Sequence, residues 1–330
     1  MTVPQEDAVH RSVSVVLPSY RRIDRISPLV EEYLRQGADQ VIVILDGPHP
    51  GWEGSLSGIL ASERVTVAEL PANVGLARAR IEGLNRAHAD IVLAVDDDVE
   101  PERGLVDAHR RFHAALGDRV LQGYMPVALP ARRGADDAPT FLYARDYEAQ
   151  ARVWDAGDSD LILASLWGGN VSLPRGLYQR AEELRPSVRL EYNEDLDLGI
   201  RLQMLGAQAT FDRRAAARHH HDRGVDAFLA ECLARGGAVS ALEHRWGRRP
   251  PQLTPLVEIS PTYNRALARV QRAIAARDDR GVVEAALIAL YRVAGRVHAW
   301  RVQDGVARVL RRALIMRGYR VAATTAPEHV

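Results

Sequence analysis

The chain predicts an α/β fold in which a mostly parallel sheet with flanking helices is followed by a helical appendage. Three observations carry this. Short β-branched runs alternate with longer helical patterns over the first hundred residues, the signature of a parallel sheet with crossover helices. Each run is apolar at consecutive positions, as strands covered on both faces require. From Val225 onward the composition shifts to Ala, Arg and Leu at helical spacing. The expected strands are 13–17, 41–45, 65–70 and 91–95, with helices over 23–35 and 76–88. Beyond Pro101 a helix is expected to about 116, a strand over 120–127 and a Pro/Arg/Gly/Asp-rich loop over 130–139. Helical spacing returns at 193–205, with Leu196, Ile200 and Leu205 on one side, before a last strand over 209–215. The break Arg248-Arg249-Pro250-Pro251 sets the expected domain boundary, giving a domain of 1–250 and a helical region of 251–330 with two or three amphipathic helices in 261–318. No solenoid repeat is present.

Composition narrows the function. A chain of 330 residues has room for one large core and a smaller one. Lys plus Arg and Asp plus Glu are 43 each, so no overall field draws the molecule to nucleic acid. The single cysteine, Cys232, excludes an intramolecular disulfide and a Cys-rich zinc site, and fits a reducing compartment. The N-terminus lacks a signal-peptide pattern, and no run of 18 apolar residues occurs. The expectation is a cytoplasmic protein, with the inner membrane face as the variant location.

In parallel sheets, ligands sit beyond the carboxyl ends of the strands. The polar residues there are Pro18-Ser19-Tyr20-Arg21-Arg22, Asp46-Gly47 and Asp96-Asp97-Asp98. If the acidic triplet is extended, Asp96 and Asp98 share a face and Asp97 points away. Adjacent carboxylates are unfavourable without a compensating cation, and a divalent ion bridging to a diphosphate would supply one. The alternative is a solvated acidic turn capping the next helix.

These segments add up to a resemblance. The order Val15-Val16-Leu17-Pro18-Ser19-Tyr20, Asp46-Gly47, Asn73-Val74-Gly75 with Ala79-Arg80 and Gly83, Asp96-Asp97-Asp98, Trp167-Gly168-Gly169-Asn170-Val171-Ser172, and Glu194-Asp195 with Leu198 and Arg201 resembles family 2 glycosyltransferases of the GT-A fold. It runs through about two thirds of the chain. The resemblance implies a hexosyltransferase-type, inverting enzyme that uses a nucleotide-sugar donor, a UDP-sugar first, and Mn²⁺ or Mg²⁺. It places Pro18, Tyr20, Arg22, Asp46, Asn73, Arg80, Asp96 and Asp97 on the donor, and Asp98 nearest the metal. Trp167, Gly168, Gly169, Asn170 and Glu194 would line the sugar and acceptor side, and Asp195 would be the general base. Two departures touch donor recognition: Leu45-Asp46-Gly47-Pro48 stands where many relatives have consecutive acids, and Ile81 where they have Asn.

Inverting transfer needs a carboxylate to take the acceptor's proton and a cation to stabilise the departing diphosphate. Taken without the resemblance, Glu194-Asp195 reads as charge complementing a helix N-terminus. Relatives often place a histidine on the metal after the last strand, which here offers His219-His220-His221; His219 or His221 is the expected ligand, and at most one binds. Trp167 stacks on a sugar or packs in the core. Arg308, Arg311, Arg312, Arg317 and Arg320 are read as a solvated face in preference to a peripheral membrane contact. The competing readings are a sugar-phosphate nucleotidyltransferase, against which Leu17 to Arg25 contains no glycine, and an inactive nucleotide-sugar-binding protein. The acceptor hydroxyl, whether of a saccharide, a lipid-linked sugar, a peptide or a small natural product, is not legible.

Overall fold

The computed structural model describes residues 11–184, 190, 192–246 and 260–325. Its first half alternates as expected: β1 (Val13–Ser19), a 3-10 turn (Ile23–Arg25), α1 (Ile26–Arg35), β2 (Gln40–Leu45), α2 (Trp52–Ser55), α3 (Ser57–Leu60), β3 (Val65–Glu69), α4 (Leu76–Leu84) and β4 (Ile91–Val95). There follow β5 (Val99–Pro101), α5 (Leu105–Leu116), β6 (Val120–Tyr124), α6 (Ala138–Trp154), α7 (Ser159–Leu163) and β7 (Asn170–Pro174). The remainder is α8 (Arg175–Glu183), α9 (Glu194–Met204), β8 (Ala209–His219), α10 (Val225–Trp246), α11 (Arg265–Ala275), α12 (Val282–Arg296) and α13 (Trp300–Thr325).

Eight strands form one mixed sheet in the order β3-β2-β1-β4-β7-β6-β8-β5. β1, β2, β3 and β4 are mutually parallel. β7 runs antiparallel to both β4 and β6, and β5 antiparallel to β8. β1, β2 and β4 are buried at every position, which is why their sequences are mostly apolar without alternation. β3 departs from that expectation. It lies at the sheet edge and is half-exposed. β5 and β7 were not legible in the sequence, and β8 runs four residues past the expected end, to His219, because β5 pairs with that extension.

The chain forms two compact units. The first comprises Met1–Pro126, Gln150–Arg189 and Leu198–His220 and contains the sheet. The second comprises Val127–Ala149, Leu190–Asp197 and His221–Val330. Its core gathers Leu142, Phe228, Ile288, Tyr291, Leu310 and Leu314. α10 packs along α13, and Arg317 of α13 binds Glu284 of α12 at 2.6 Å and the Ile274 carbonyl of α11 at 2.8 Å, so a buried ion pair ties three helices. Arg317 and Arg311, expected on a solvated face, are thus engaged, the latter with Asp146. The boundary expected at 250/251 lies outside the described residues. Among the described residues no helix is long and apolar enough to cross a membrane.

Candidate functional site

Because β2, β1 and β4 are parallel neighbours, their carboxyl ends share one edge, and the residues that follow them meet there. Pro18 is buried inside β1 opposite Ile44. Tyr20, just beyond the strand, is 43% exposed, with the Arg21 guanidinium 4.8 Å from its ring centre. Two loops are tied by a histidine the sequence did not single out. The Arg21 N–H donates to His49 Nε2 at 3.0 Å. His49 Nδ1–H donates to the Gly47 carbonyl at 2.6 Å, which fixes the neutral tautomer.

Asp46 is 4% exposed and fully engaged. Its carboxylate accepts from the Val74 N–H at 2.7 Å, the Gly75 N–H at 3.0 Å and Asn73 Nδ2 at 3.0 Å. Asp46 and Asn73, both expected on the donor, therefore hold the turn that opens α4. Gly75 makes that turn with φ 84, where a side chain would be strained.

The acidic triplet is not extended. The Val99 N–H donates to the Asp96 carbonyl at 3.1 Å, closing a turn, so the expected pairing of Asp96 with Asp98 gives way to two separate clusters. In the first, Arg80 Nη2 lies 2.6 Å from Asp96 Oδ1. A Cβ at residue 168 would stand 2.7 Å from Arg80 Nη1, and one at 169 would stand 2.9 Å from Asp96 Oδ2. Gly168 and Gly169 are glycines because this ion pair lies against their backbone. The antiparallel register of β7, with Asn170 opposite Val95, brings them there.

In the second cluster, Arg22 Nη1 reaches Asp97 Oδ1 at 2.7 Å and Asp98 Oδ2 at 2.8 Å. Ser19 Oγ donates to Asp97 Oδ2 at 2.7 Å. His219 Nε2 stands 3.4 Å from Asp98 Oδ1, placed by the β5–β8 register of His219 opposite Val99. Asp97 and Asp98 are each 8% exposed. Burial pushes the Asp97 carboxyl up, against the pull of Ser19 and Arg22. Burial pushes Asp98 up as well, but the His219 ring and the Arg22 guanidinium outweigh it and hold that carboxyl well below the usual range. Ser19 carried no signal in sequence beyond its place at the strand end.

Other expected site residues are committed elsewhere. Asn170, expected on the sugar and acceptor side, is fully buried, accepting from His109 Nε2 at 2.9 Å and donating to the Tyr124 and Ala215 carbonyls at 3.3 and 3.0 Å. It braces β6, β7 and β8 from within the sheet. Trp167 packs edge-on against Trp154 at 6.3 Å, and its backbone is gripped on both sides by Gln122. Arg201 is 1% exposed and anchors α9 to α8 through the Ala181 carbonyl at 2.7 Å and Glu182 at 2.9 Å.

His221 belongs to the second unit. There it stacks on Tyr143 at 4.3 Å, and Thr140 donates to its carbonyl at 2.9 Å. Glu194 and Asp195, in the first turn of α9, are also in that unit. Both are half-buried, and Asp195 Oδ1 accepts its neighbour Leu196's N–H at 2.8 Å. Asp197, which sequence reading passed over, is fully buried with Arg245 at 2.8 Å and Trp246 Nε1 at 3.2 Å.

Among the described residues no group of three or more His, Cys, Asp or Glu side chains is arranged to hold a metal ion. The pair Asp98 and His219 nevertheless fits one. A carboxylate and an imidazole are donors that Mn²⁺ accepts, and ions of this class complete their shell with water and substrate phosphates.

The fold and site define an α/β protein with a charged, largely buried edge at the carboxyl ends of its central parallel strands. Residues 14–160 match the model of Glycosyl transferase family 2. Its fold is similar to that of the mannosyltransferase PcManGT from Pyrobaculum calidifontis in complex with GDP-Man and Mn²⁺, with 19% identity, 94% of this chain and 88% of that chain covered, and a TM-score of 0.55. It is also similar to glucosyl-3-phosphoglycerate synthase from Mycobacterium tuberculosis in complex with Mn²⁺ and UDP-Glc, with 20% identity, 72% and 80% covered, and a TM-score of 0.51. No curated protein matches the chain significantly in sequence.

Proposed function

We propose that the protein is an inverting glycosyltransferase that moves a hexosyl group from a nucleoside-diphosphate sugar, a UDP-sugar first, to an acceptor hydroxyl. The observation that carries this is the buried Asp98–His219 pair at 3.4 Å, standing beside Arg22 at the carboxyl edge of the sheet in a chain whose residues 14–160 match the family 2 glycosyltransferase model. Asp98 and His219 would hold a divalent ion, which when bound neutralises the charge growing on the departing diphosphate. Arg80, fixed on Asp96 at 2.6 Å, adds a positive group on the same edge. Asp195 takes the proton of the acceptor hydroxyl as it attacks the anomeric carbon. This role rests on its place in the Glu194-Asp195 motif. One in-line displacement with a single base inverts the anomeric centre.

The relatives named above were solved with GDP-Man and with UDP-Glc, each with Mn²⁺, so the screen should span UDP-, GDP- and dTDP-sugars. Calorimetric titration of the nucleoside diphosphates with and without Mn²⁺ tests the donor site. Tight binding only with the ion, lost in Asp98→Ala, is expected. Equal affinity after EDTA treatment would remove the metal from the reading. Proton NMR of the first-formed product should show inversion, and retention would exclude the mechanism.

A further inference from the structure

Two consecutive carboxylates at 8% exposure are costly neighbours unless a cation stands with them. In this fold the cation is a side chain, since one nitrogen of Arg22 touches both Asp97 and Asp98 at 2.7 and 2.8 Å. The carboxylates themselves are braced from behind, Asp97 by the Ser19 hydroxyl and Asp98 by His219. Among the described residues the Arg22 side chain is held by those two contacts alone, and it is 36% exposed. Its backbone follows Arg21 at φ 60, a left-handed conformation that a non-glycine residue adopts at a cost.

We propose that Arg22 is a resident counter-ion that a divalent cation displaces from Asp97 and Asp98, the freed guanidinium then turning to the diphosphate of the nucleotide. This rests on the reading of Asp98 and His219 as metal ligands. The charge count gives the reason. Two carboxylates facing one guanidinium leave the unliganded cluster at −1. Adding a divalent ion while Arg22 stays would bring it to +1 and set two cations on Asp98. The anionic diphosphate removes that conflict by giving Arg22 a new partner. The ion by itself should therefore bind weakly, and ion and nucleotide should bind as a coupled pair.

The test compares the wild type with Arg22→Met, which keeps length without charge, and Arg22→Lys, which keeps the charge. Mn²⁺ is titrated calorimetrically alone, and then with whichever of UDP, GDP or dTDP binds the wild type best. Arg22→Met should bind Mn²⁺ alone about tenfold more tightly, as expected for losing a charge within hydrogen-bonding distance. It should bind the nucleoside diphosphate with Mn²⁺ about tenfold more weakly, while Arg22→Lys stays near the wild type in the first measurement. Mn²⁺ should also raise the Tm of Arg22→Met more than that of the wild type, and should rescue the variant if it folds poorly without the ion. Unchanged or weaker Mn²⁺ binding by Arg22→Met, or no rescue, overturns the counter-ion role and leaves the metal reading standing. Absence of Mn²⁺ binding to the wild type even with nucleotide overturns both.

Discussion

Asp46 offers two oxygens to three donors, and that makes it a structural clamp as well as a candidate donor contact. Asp46→Asn keeps the shape but turns its NH₂ either toward the Val74 N–H or toward the Gly75 N–H and the Asn73 amide. A cost of about 1–3 kcal/mol is expected from the unmade bonds, read as a lower urea midpoint with an unchanged m-value. A second residue-scale device lies behind Asn170, where four contacts run in series from the Gly117 carbonyl through His113, Ser172 and His109 to Asn170 Oδ1. Both ends accept, so four protons are needed. Two neutral imidazoles and one hydroxyl bring three. The longest contact, His113 Nδ1 to Gly117 O at 3.2 Å, is the one that goes without. Burial holds His109 down to about 3, aided by the neighbouring His113 and resisted by Asn170 and Asp212. Burial also holds His113 down to about 4, with Arg11 pulling the same way and Gly117 and Asp118 opposing. Both groups bind protons more readily unfolded, near the ordinary 6.5. Stability from them is full above about pH 6.5 and falls as pH drops toward 4 and 3, by up to about 1.4 kcal/mol per pH unit for each. Urea unfolding at pH 7 and pH 5 checks this, and an unchanged midpoint would refute it.

At the scale of elements, glycines set how closely helices approach. A Cβ at Gly236 of α10 would stand 2.1 Å from the Ile315 carbonyl of α13, and one at Gly318 of α13 would stand 2.0 Å from the Leu233 carbonyl of α10. The two helices meet backbone to backbone at these points. Gly236→Ala and Gly318→Ala should each destabilise by about 1–3 kcal/mol through overpacking, read as a lower Tm. Gly305→Ala, where a Cβ meets nothing within 4 Å, serves as the control and should leave Tm level or slightly higher. The same scale shows which strands a sequence reveals. β4 is apolar at all five positions because neighbours cover both faces. β7 hides because its core positions include Asn170 and Ser172, polar residues whose burial is supported by hydrogen bonds to His109 and His113 and, for Asn170, to the Tyr124 and Ala215 carbonyls. Those histidines lie about sixty residues earlier in the chain, so no local pattern announces them.

For the whole molecule, the residues proposed for donor and metal lie in the sheet-bearing unit, and Asp195 lies in the other. Asp195→Asn preserves shape and hydrogen bonding but cannot accept a proton. It should lower turnover by about 10²–10⁴-fold while nucleoside diphosphate affinity stays level. Loss of both together would make Asp195 a donor-site or folding residue, and loss of neither would move the base elsewhere, with Glu194 tested first. The sequence by itself determined the central parallel strands and the residue types that follow them, because burial on both faces and turn chemistry are written within a few residues of each other. It also determined the order of segments that carries the resemblance to family 2 glycosyltransferases. Only the tertiary structure decided which charges meet. Arg22 takes Asp97 and Asp98 from 75 and 76 residues away, Arg80 takes Asp96, and His219 stands by Asp98 while His221 turns to Thr140 and Tyr143. Such pairings depend on strand register and on a turn at the triplet, and hydrophobic periodicity, which locates elements, carries no information about either.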